Sequence, residues 1–237
     1  MTALLLLLAP ALAMPGPADV RARLERMRSA ADALQEYTYT FQRQEWVDGK
    51  QQPQHLMSIK FRKPMEIYIH WIGDTYKGRE LLYKRGWNDG NMMVKPGPML
   101  PTLSLDPNGR IAKRGSRHGI EMIDLSNVAK LILSQTDRLE ASATLSATFS
   151  DGGAQVINGE PSWCTSIGLP KDKDPALYAY RVDMCLSEAS GLLTRLRSWD
   201  MDDGQLRQVA DYEFRQVNLS PGLTDSDFDN DNPAYNF

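Results

Sequence analysis

Alternation of apolar and polar residues is the feature that most constrains the fold of this chain of 237 residues. From Tyr37 onward the pattern has a period of two, in which Tyr37, Tyr39 and Phe41 alternate with polar side chains. A period of two places successive side chains on opposite faces of a β-strand, so one face of each such strand is predicted to be buried. Turn sequences such as Asp48-Gly49 separate these runs and favour hairpins.

The order of helices and strands narrows the fold class further. Helical spacing of apolar residues occurs at 18–35 and 125–139. Strands are predicted from Tyr37 and at 57–61, 65–71, 80–85, 91–95, near 103 and 111, and at 142–149, 154–157, 162–169, 178–186, 191–199 and 205–217. Because no helix stands regularly between strands, parallel βαβ units are disfavoured. We expect one antiparallel sheet of about ten to eleven strands, curled because of its size, with helices on its concave side.

The concave face of such a sheet is the candidate functional surface. Two short helices are too small to cover it completely, so some apolar surface is predicted to remain as a cavity for a ligand. The predicted cavity residues are Tyr39, Phe41, Ile59, Phe61, Ile67, Ile69 and Trp71. The alternative is that these side chains pack on the helices and form an ordinary core.

Charge is distributed unevenly along the chain. Residues 1–118 contain 18 Lys+Arg and 11 Asp+Glu, whereas residues 119–237 contain 9 and 19. A basic half of the sheet is suited to anionic lipid headgroups or to an acidic protein. Arg62, Lys63 and Arg79 are the candidate contacts, provided that they lie at the rim of the cavity; an ordinary solvated face is the alternative. The overall charge of -3 disfavours a general nucleic-acid binder.

The first residues have the features of a secretory signal. Leu4–Leu8 form an apolar run, and Ala11-Leu12-Ala13 supplies an Ala-x-Ala cleavage site, so residues 1–13 are predicted to be a signal peptide. No Lys or Arg precedes the apolar run, which departs from the usual signal pattern. The alternative is a frayed apolar N-terminus or a short anchor helix. No apolar run reaches the length of about 18 residues that a membrane-spanning helix requires. Residues 18–237 are then expected to form a single exported domain.

The two cysteines agree with export. Cys164 and Cys185 lie in strand-like runs on either side of a turn composition at 170–175. They are equally far from the midpoint between Asp174 and Pro175, so folding the segment about that turn places them directly opposite each other. Opposite residues in neighbouring strands have Cβ atoms about 4.5–5.5 Å apart, which is close to what a disulfide requires. A Cys164–Cys185 disulfide is predicted, with two buried free thiols as the alternative.

No catalytic motif is recognisable in the sequence. The 3 His residues form no HExxH or His-x-His arrangement, and two paired cysteines leave no tetrahedral zinc set. The acidic tail is not an EF-hand, because Asn230 and Asn236 stand where Gly and Glu are required. Phe228, Tyr235 and Phe237 are instead predicted to anchor the tail. We therefore expect no enzymatic activity, metal or cofactor; an envelope hydrolase would need a polar cleft with clustered ionisable groups.

Two sets of residues resemble known families. A hairpin formed by Val182–Leu186, Gly191–Leu196, Asp203-Gly204 and Asp211–Phe214 is similar to the late hairpin of LolA/LolB-type lipoprotein carriers and of RseB/MucB-type periplasmic regulators. A wider set resembles the bacterial family of domain of unknown function 1571, and it consists of Lys60–Pro64, Tyr68, Trp71, Gly78–Tyr83, Leu105–Pro107, Gly109, Arg117–Ile120, Leu223–Asp225, Asp227-Phe228 and Asn232–Tyr235.

These resemblances imply an α+β fold, namely a LolA-like open antiparallel β half-barrel with a helical lid and a hydrophobic cavity for acyl chains. They imply a periplasmic, non-enzymatic carrier or chaperone whose partner is a lipid or a lipidated protein, and no nucleic acid. The alternative that they leave open is a periplasmic sensor or protein-interaction module of the RseB type, which would bind a membrane-anchored partner protein.

Overall fold

A computed structural model describes residues 16–237 of the chain. The predicted signal peptide, residues 1–13, lies outside this range. None of the helices in the described range combines the length and the apolar composition that crossing a membrane requires.

The described residues form two α-helices, twelve strands and short 3-10 helices. The α-helices are α1 Pro17–Ala33 and α2 Leu125–Glu140. The strands are β1 Glu36–Val47, β2 Lys50–Gln51, β3 His55–Arg62, β4 Glu66–Trp71, β5 Glu80–Lys84, β6 Met92–Lys95, β7 Leu103–Leu105, β8 Thr148–Ile157, β9 Glu160–Gly168, β10 Arg181–Ser187, β11 Leu193–Asp202 and β12 Gln205–Asn218. The 3-10 helices lie at Asn88–Gly90, Ile120–Ile123 and Asp225–Phe228.

All strands belong to one antiparallel sheet. Its order is β7-β6-β5-β4-β3-β1-β12-β11-β10-β9-β8, and the short β2 pairs with the end of β1. β1 and β12 meet in the middle, which joins the two meanders of the chain into one layer. Because β7 and β8 form two free edges, the sheet is open. The predicted α+β architecture, an open antiparallel half-barrel with helices on its concave side, is therefore confirmed.

The main core lies between the concave face of the sheet and the helices. In β3, Met57, Ile59 and Phe61 are almost completely buried, whereas the residues between them are partly exposed on the other face. The apolar stripe of α1, which includes Leu24 and Met27, is buried against this face. α1 thus forms part of the cover over the concave face.

A smaller apolar cluster lies on the opposite face of the sheet, where the C-terminal tail packs. Phe228 is fully buried against Tyr68 and Leu82. The ring of Tyr235 stacks on Tyr68 with the centroids 3.9 Å apart, and Phe237 meets the same ring edge-on. The prediction that these aromatic residues anchor the tail is confirmed.

A disulfide joins β9 and β10. Cys164 and Cys185 are direct partners in the register of the two strands, and their sulfur atoms are bonded. The predicted disulfide is therefore confirmed. In the neighbouring β8, a Cβ atom at Gly152 would approach the backbone and Cβ of Cys164 to 3.1 Å, so a glycine allows β8 to pass close to this residue.

The structure corrects two predicted strand segments. The piece near Ile111 forms turns, because the Asp106 carboxylate accepts a hydrogen bond from the backbone N of Asn108 and opens a turn there. The segments 142–149 and 154–157 are not two separate strands. The chain is irregular up to Ala147, and β8 then continues across a register shift between Asp151 and Gly153.

Candidate functional site

A cleft lies between α2 and the half of the sheet formed by β1 and β8–β12. α2 begins after Asp124, whose carboxylate accepts a hydrogen bond from the backbone N of Ser126. Ala129 and Leu133 of α2 are buried, whereas Ile132 is only half-buried and lines the cleft. One apolar face of α2 therefore serves both the core and the wall of the cleft.

Apolar side chains form most of the cleft wall. The lining residues from the helices and the segment before α2 are Leu24, Met122, Ile123, Val128, Leu131, Ile132 and Leu139; those from the sheet and its loops are Phe41, Phe149, Ile167, Leu169, Val182, Met184, Leu193, Leu196, Tyr212 and Phe214. The cleft holds about 1040 Å³ between these atoms, including its open mouth. Because its wall is mostly apolar, the cleft suits an apolar ligand.

A group of polar side chains interrupts the apolar wall. The Nε2 atom of His118 lies 3.0 Å from the hydroxyl of Tyr178, and the two rings are stacked with centroids 5.8 Å apart. Burial lowers the pKa of His118 and raises the pKa of Tyr178. Both groups are consequently uncharged at neutral pH, and they offer hydrogen bonds without a net charge.

The polar group also contains a buried carboxylate. Glu45 accepts hydrogen bonds from the hydroxyl of Tyr212 and, at 3.3 Å, from the backbone N of Arg117. The Nη1 atom of Arg43 lies 3.7 Å from the same carboxylate and donates to the hydroxyl of Ser116 at 2.9 Å. Opposite charges therefore compensate each other inside the cleft wall. Residues 16–237 contain no group of three or more His, Cys, Asp or Glu side chains placed to hold a metal ion.

The observed cleft and the predicted cavity overlap at one residue. Phe41 lines the cleft, while the other predicted residues lie in the packed core: Tyr39, Ile59, Phe61, Ile67, Ile69 and Trp71. The segment before α2 helps to close this part of the sheet, since the hydroxyl of Tyr39 donates to the carbonyl of Ile123 at 2.9 Å. The open space consequently lies over the second half of the sheet.

The predicted headgroup contacts do not line the cleft. Arg62 donates to Asp225 of the tail at 2.7 Å, and Lys63 donates to a carbonyl oxygen of α1. The guanidinium of Arg79 lies 3.7 Å from the ring centroid of Tyr76. Arg62 and Lys63 thus hold the tail and α1 to the sheet, whereas Arg79 lies beside an exposed loop.

Sequence reasoning missed the cleft residues of β8–β12 and the polar group. Two signals pointed toward them. The apolar stripe of α2 was predicted, and the alternation in β10 placed Val182 and Met184 on one face. The pattern does not show which part of the concave face the helices and the segment before α2 leave uncovered, because that depends on packing between distant segments.

Several solved structures are similar to this chain at low sequence identity. Lipoprotein LppX from Mycobacterium tuberculosis has a TM-score of 0.50 at 14% identity, over 88% of this chain and 99% of that chain. A chain of the Pseudomonas aeruginosa MucA/MucB complex has a TM-score of 0.44 at 13% identity, over 89% of this chain and 60% of that chain. A LolA superfamily protein from Nitrosomonas europaea has a TM-score of 0.38 at 8% identity, over 89% and 97%. The likeness to LppX concerns the fold alone.

Sequence comparison places the chain in a family. No curated protein matches the sequence. The family model described as "Protein of unknown function (DUF1571)" matches residues 34–237, a range that contains every strand and α2. The resemblance drawn from the motifs around Lys60, Gly78 and Leu223 is thereby confirmed. This protein belongs to the DUF1571 family.

Proposed function

We propose that this protein is a periplasmic, non-enzymatic carrier or chaperone for a lipid or a lipidated protein. The acyl chain of this lipid or lipidated protein lies in the cleft between α2 and β8–β12. The observation that carries the proposal is the apolar lining of a partly open cleft. Each methylene group that moves from water into such a cleft contributes about 0.8 kcal/mol of binding free energy.

The polar group in the cleft wall indicates what the ligand carries besides its chain. His118 and Tyr178 are uncharged hydrogen-bonding groups, and the charge of Arg43 is balanced by Glu45. Such a surface favours a neutral polar group, for example an ester or an amide, over a bare anion. Acylated glycerol and acylated amino groups both meet this requirement.

Two features support a periplasmic location. The chain begins with a signal-like sequence, and its two cysteines form a disulfide. Disulfides persist mainly in oxidising compartments, which include the bacterial periplasm.

The described strands and helices leave the cleft accessible from solvent, as a carrier that loads and releases a ligand requires.

Native mass spectrometry on protein from a periplasmic extract, prepared without detergent, tests the proposal. We expect a bound mass that dissociates as a lipid or a lipopeptide. Ile132→Glu introduces a carboxylate into the half-buried wall of the cleft and is expected to abolish that bound mass. Val156→Glu makes the same change at an exposed position of β8 and serves as the matched control.

Two results would contradict the carrier proposal. One is a ligand-free mass in repeated gentle preparations of the wild-type protein; crosslinking to a membrane-anchored protein would then favour the sensor or interaction module of the RseB type. The other is an equal amount of bound lipid in the Ile132→Glu variant and in its control, provided that circular dichroism shows both variants folded.

A further inference from the structure

The rim of the sheet next to β5 and β6 has a surface that is separate from the cleft. The loop 72–79 joins β4 to β5, and the loop 96–102 joins β6 to β7. Glu80 pairs with Lys95, so both loops project from the same end of the sheet. They also touch, since a Cβ atom at Gly78 would lie 3.4 Å from the ring of Pro98. We call these two segments the rim loops.

Aliphatic side chains are exposed at the rim loops. Met99 is 95% exposed and Leu100 is 53% exposed, and Ile72 and Tyr76 of the other rim loop are exposed as well. Several neighbouring apolar side chains that find no cover in the folded chain mark a surface for contact with another apolar phase.

Basic side chains in the part of the chain that contains the rim loops lack acidic partners. Residues 72–118 contain nine Lys and Arg residues, against four Asp and Glu: Lys77, Arg79, Lys84, Arg85, Lys95, Arg110, Lys113, Arg114 and Arg117. Within the described chain, none of these nine takes part in a salt bridge. By contrast, seven of the nine basic residues of 119–237 are paired.

This contrast shows where positive charge is available to a partner. Lys77 and Lys95 flank the exposed aliphatic side chains, and Lys113 and Arg114 are exposed on the next segment. The rim loops themselves carry Asp74 as an acidic residue. An unpaired cationic surface around exposed aliphatic side chains is complementary to a bilayer that has anionic headgroups above acyl chains.

We propose that the rim loops dock this protein on an anionic phospholipid surface. Met99 and Leu100 insert at the boundary between headgroups and acyl chains, and the exposed basic side chains of Lys77, Lys113 and Arg114 are attracted to the headgroups. This docking uses residues that do not line the cleft, so it goes beyond the proposed function and does not depend on it.

Co-sedimentation of the full chain with lipid vesicles tests the proposal. The vesicles consist of phosphatidylcholine alone or contain about 30 mol% phosphatidylglycerol, in about 0.1 M NaCl, where the Debye length is about 10 Å. We expect binding to the anionic vesicles that weakens at higher salt. The double variant Met99→Asp with Leu100→Asp is expected to bind at least about tenfold more weakly, because it removes the inserting side chains and adds repulsion. Lys113→Gln and Arg114→Gln should each lower binding about fivefold.

A matched control lies at the same end of the sheet. Met201 and Leu206 of the β11–β12 hairpin are 49% and 54% exposed, but their neighbours are Asp200, Asp202 and Asp203. The double variant Met201→Asp with Leu206→Asp is expected to bind vesicles like the wild-type protein. Circular dichroism verifies that each variant is folded.

Three outcomes would overturn the docking proposal. These are equal binding of the wild-type protein to anionic and neutral vesicles, unchanged binding of the Met99→Asp and Leu100→Asp variant, and an equal loss in the control variant. Ile132→Glu separates docking from the cleft. It is expected to leave vesicle binding intact even though it empties the cleft, and a loss of vesicle binding would show that the cleft, rather than the rim loops, captures the lipid.

Discussion

His55 makes the folding stability of this protein depend on pH in a predictable way. The ring is buried at the start of β3, and its Nδ1 atom accepts hydrogen bonds from Nε of Arg43 at 3.3 Å and from Nε1 of Trp71 at 3.5 Å. The ring of Tyr76 lies edge-on with the centroids 5.2 Å apart. Burial, with the nearby charges of Arg43 and Arg79, lowers the pKa of His55 to about 4. The folded protein consequently holds this ring neutral.

The sign of the effect follows from the two pKa values. In the unfolded chain a histidine has a pKa of about 6.5, so the unfolded state takes up the proton first as the pH falls. The contribution of His55 to stability is fully present above about pH 6.5 and is lost progressively between about pH 6.5 and pH 4. Lowering the pH from about 7.5 to about 5.0 is expected to reduce the free energy of unfolding by about 2 kcal/mol through this residue.

Urea unfolding of the wild-type protein and of His55→Gln at both pH values isolates this contribution. Other groups with shifted pKa values, such as His118, are present in both proteins, so their effects cancel in the difference. The wild-type protein should lose about 2 kcal/mol more than the variant. An equal loss in both proteins, or an NMR titration of the His55 ring with a midpoint near its unfolded value, would refute the reasoning.

Three further predictions concern the disulfide, the tail and the cleft. Replacing Cys164 and Cys185 by Ser should lower the free energy of unfolding measured in urea by about 3 kcal/mol, because the bridge closes a sequence separation of 21 residues. A reductant should lower the free energy of unfolding of the wild-type protein alone. Phe228→Ala removes a fully buried ring and should lower the free energy of unfolding by about 3 kcal/mol. Hydrogen exchange of the variant checks this, because it should become faster in residues 224–237 than in α2. In a competition assay, the affinity for fatty acyl chains should rise about fourfold per methylene until the cleft is full; a flat series would count against an apolar cleft.

Most strands, their antiparallel arrangement and the disulfide could be predicted because they depend on local patterns. Alternation such as that of Tyr37, Tyr39 and Phe41 sets which face of a strand is buried, and the turn between the cysteines sets their register. The family motifs are also local, and the family model confirmed them. The tail anchors Phe228 and Tyr235 were predictable for a related reason, since aromatic side chains in a polar tail gain most free energy by packing on the sheet.

The position of the cleft was decided by the tertiary structure. Ile59 and Ile132 both belong to apolar stripes, yet Ile59 is fully buried in the core and Ile132 lines the cleft. The pairing of Arg62 with Asp225 likewise joins segments far apart in the chain. A residue pattern specifies which side chains avoid water, whereas the space that remains open depends on how two helices and a tail share the faces of one curved sheet. That sharing is set by packing between distant segments, which no local periodicity contains.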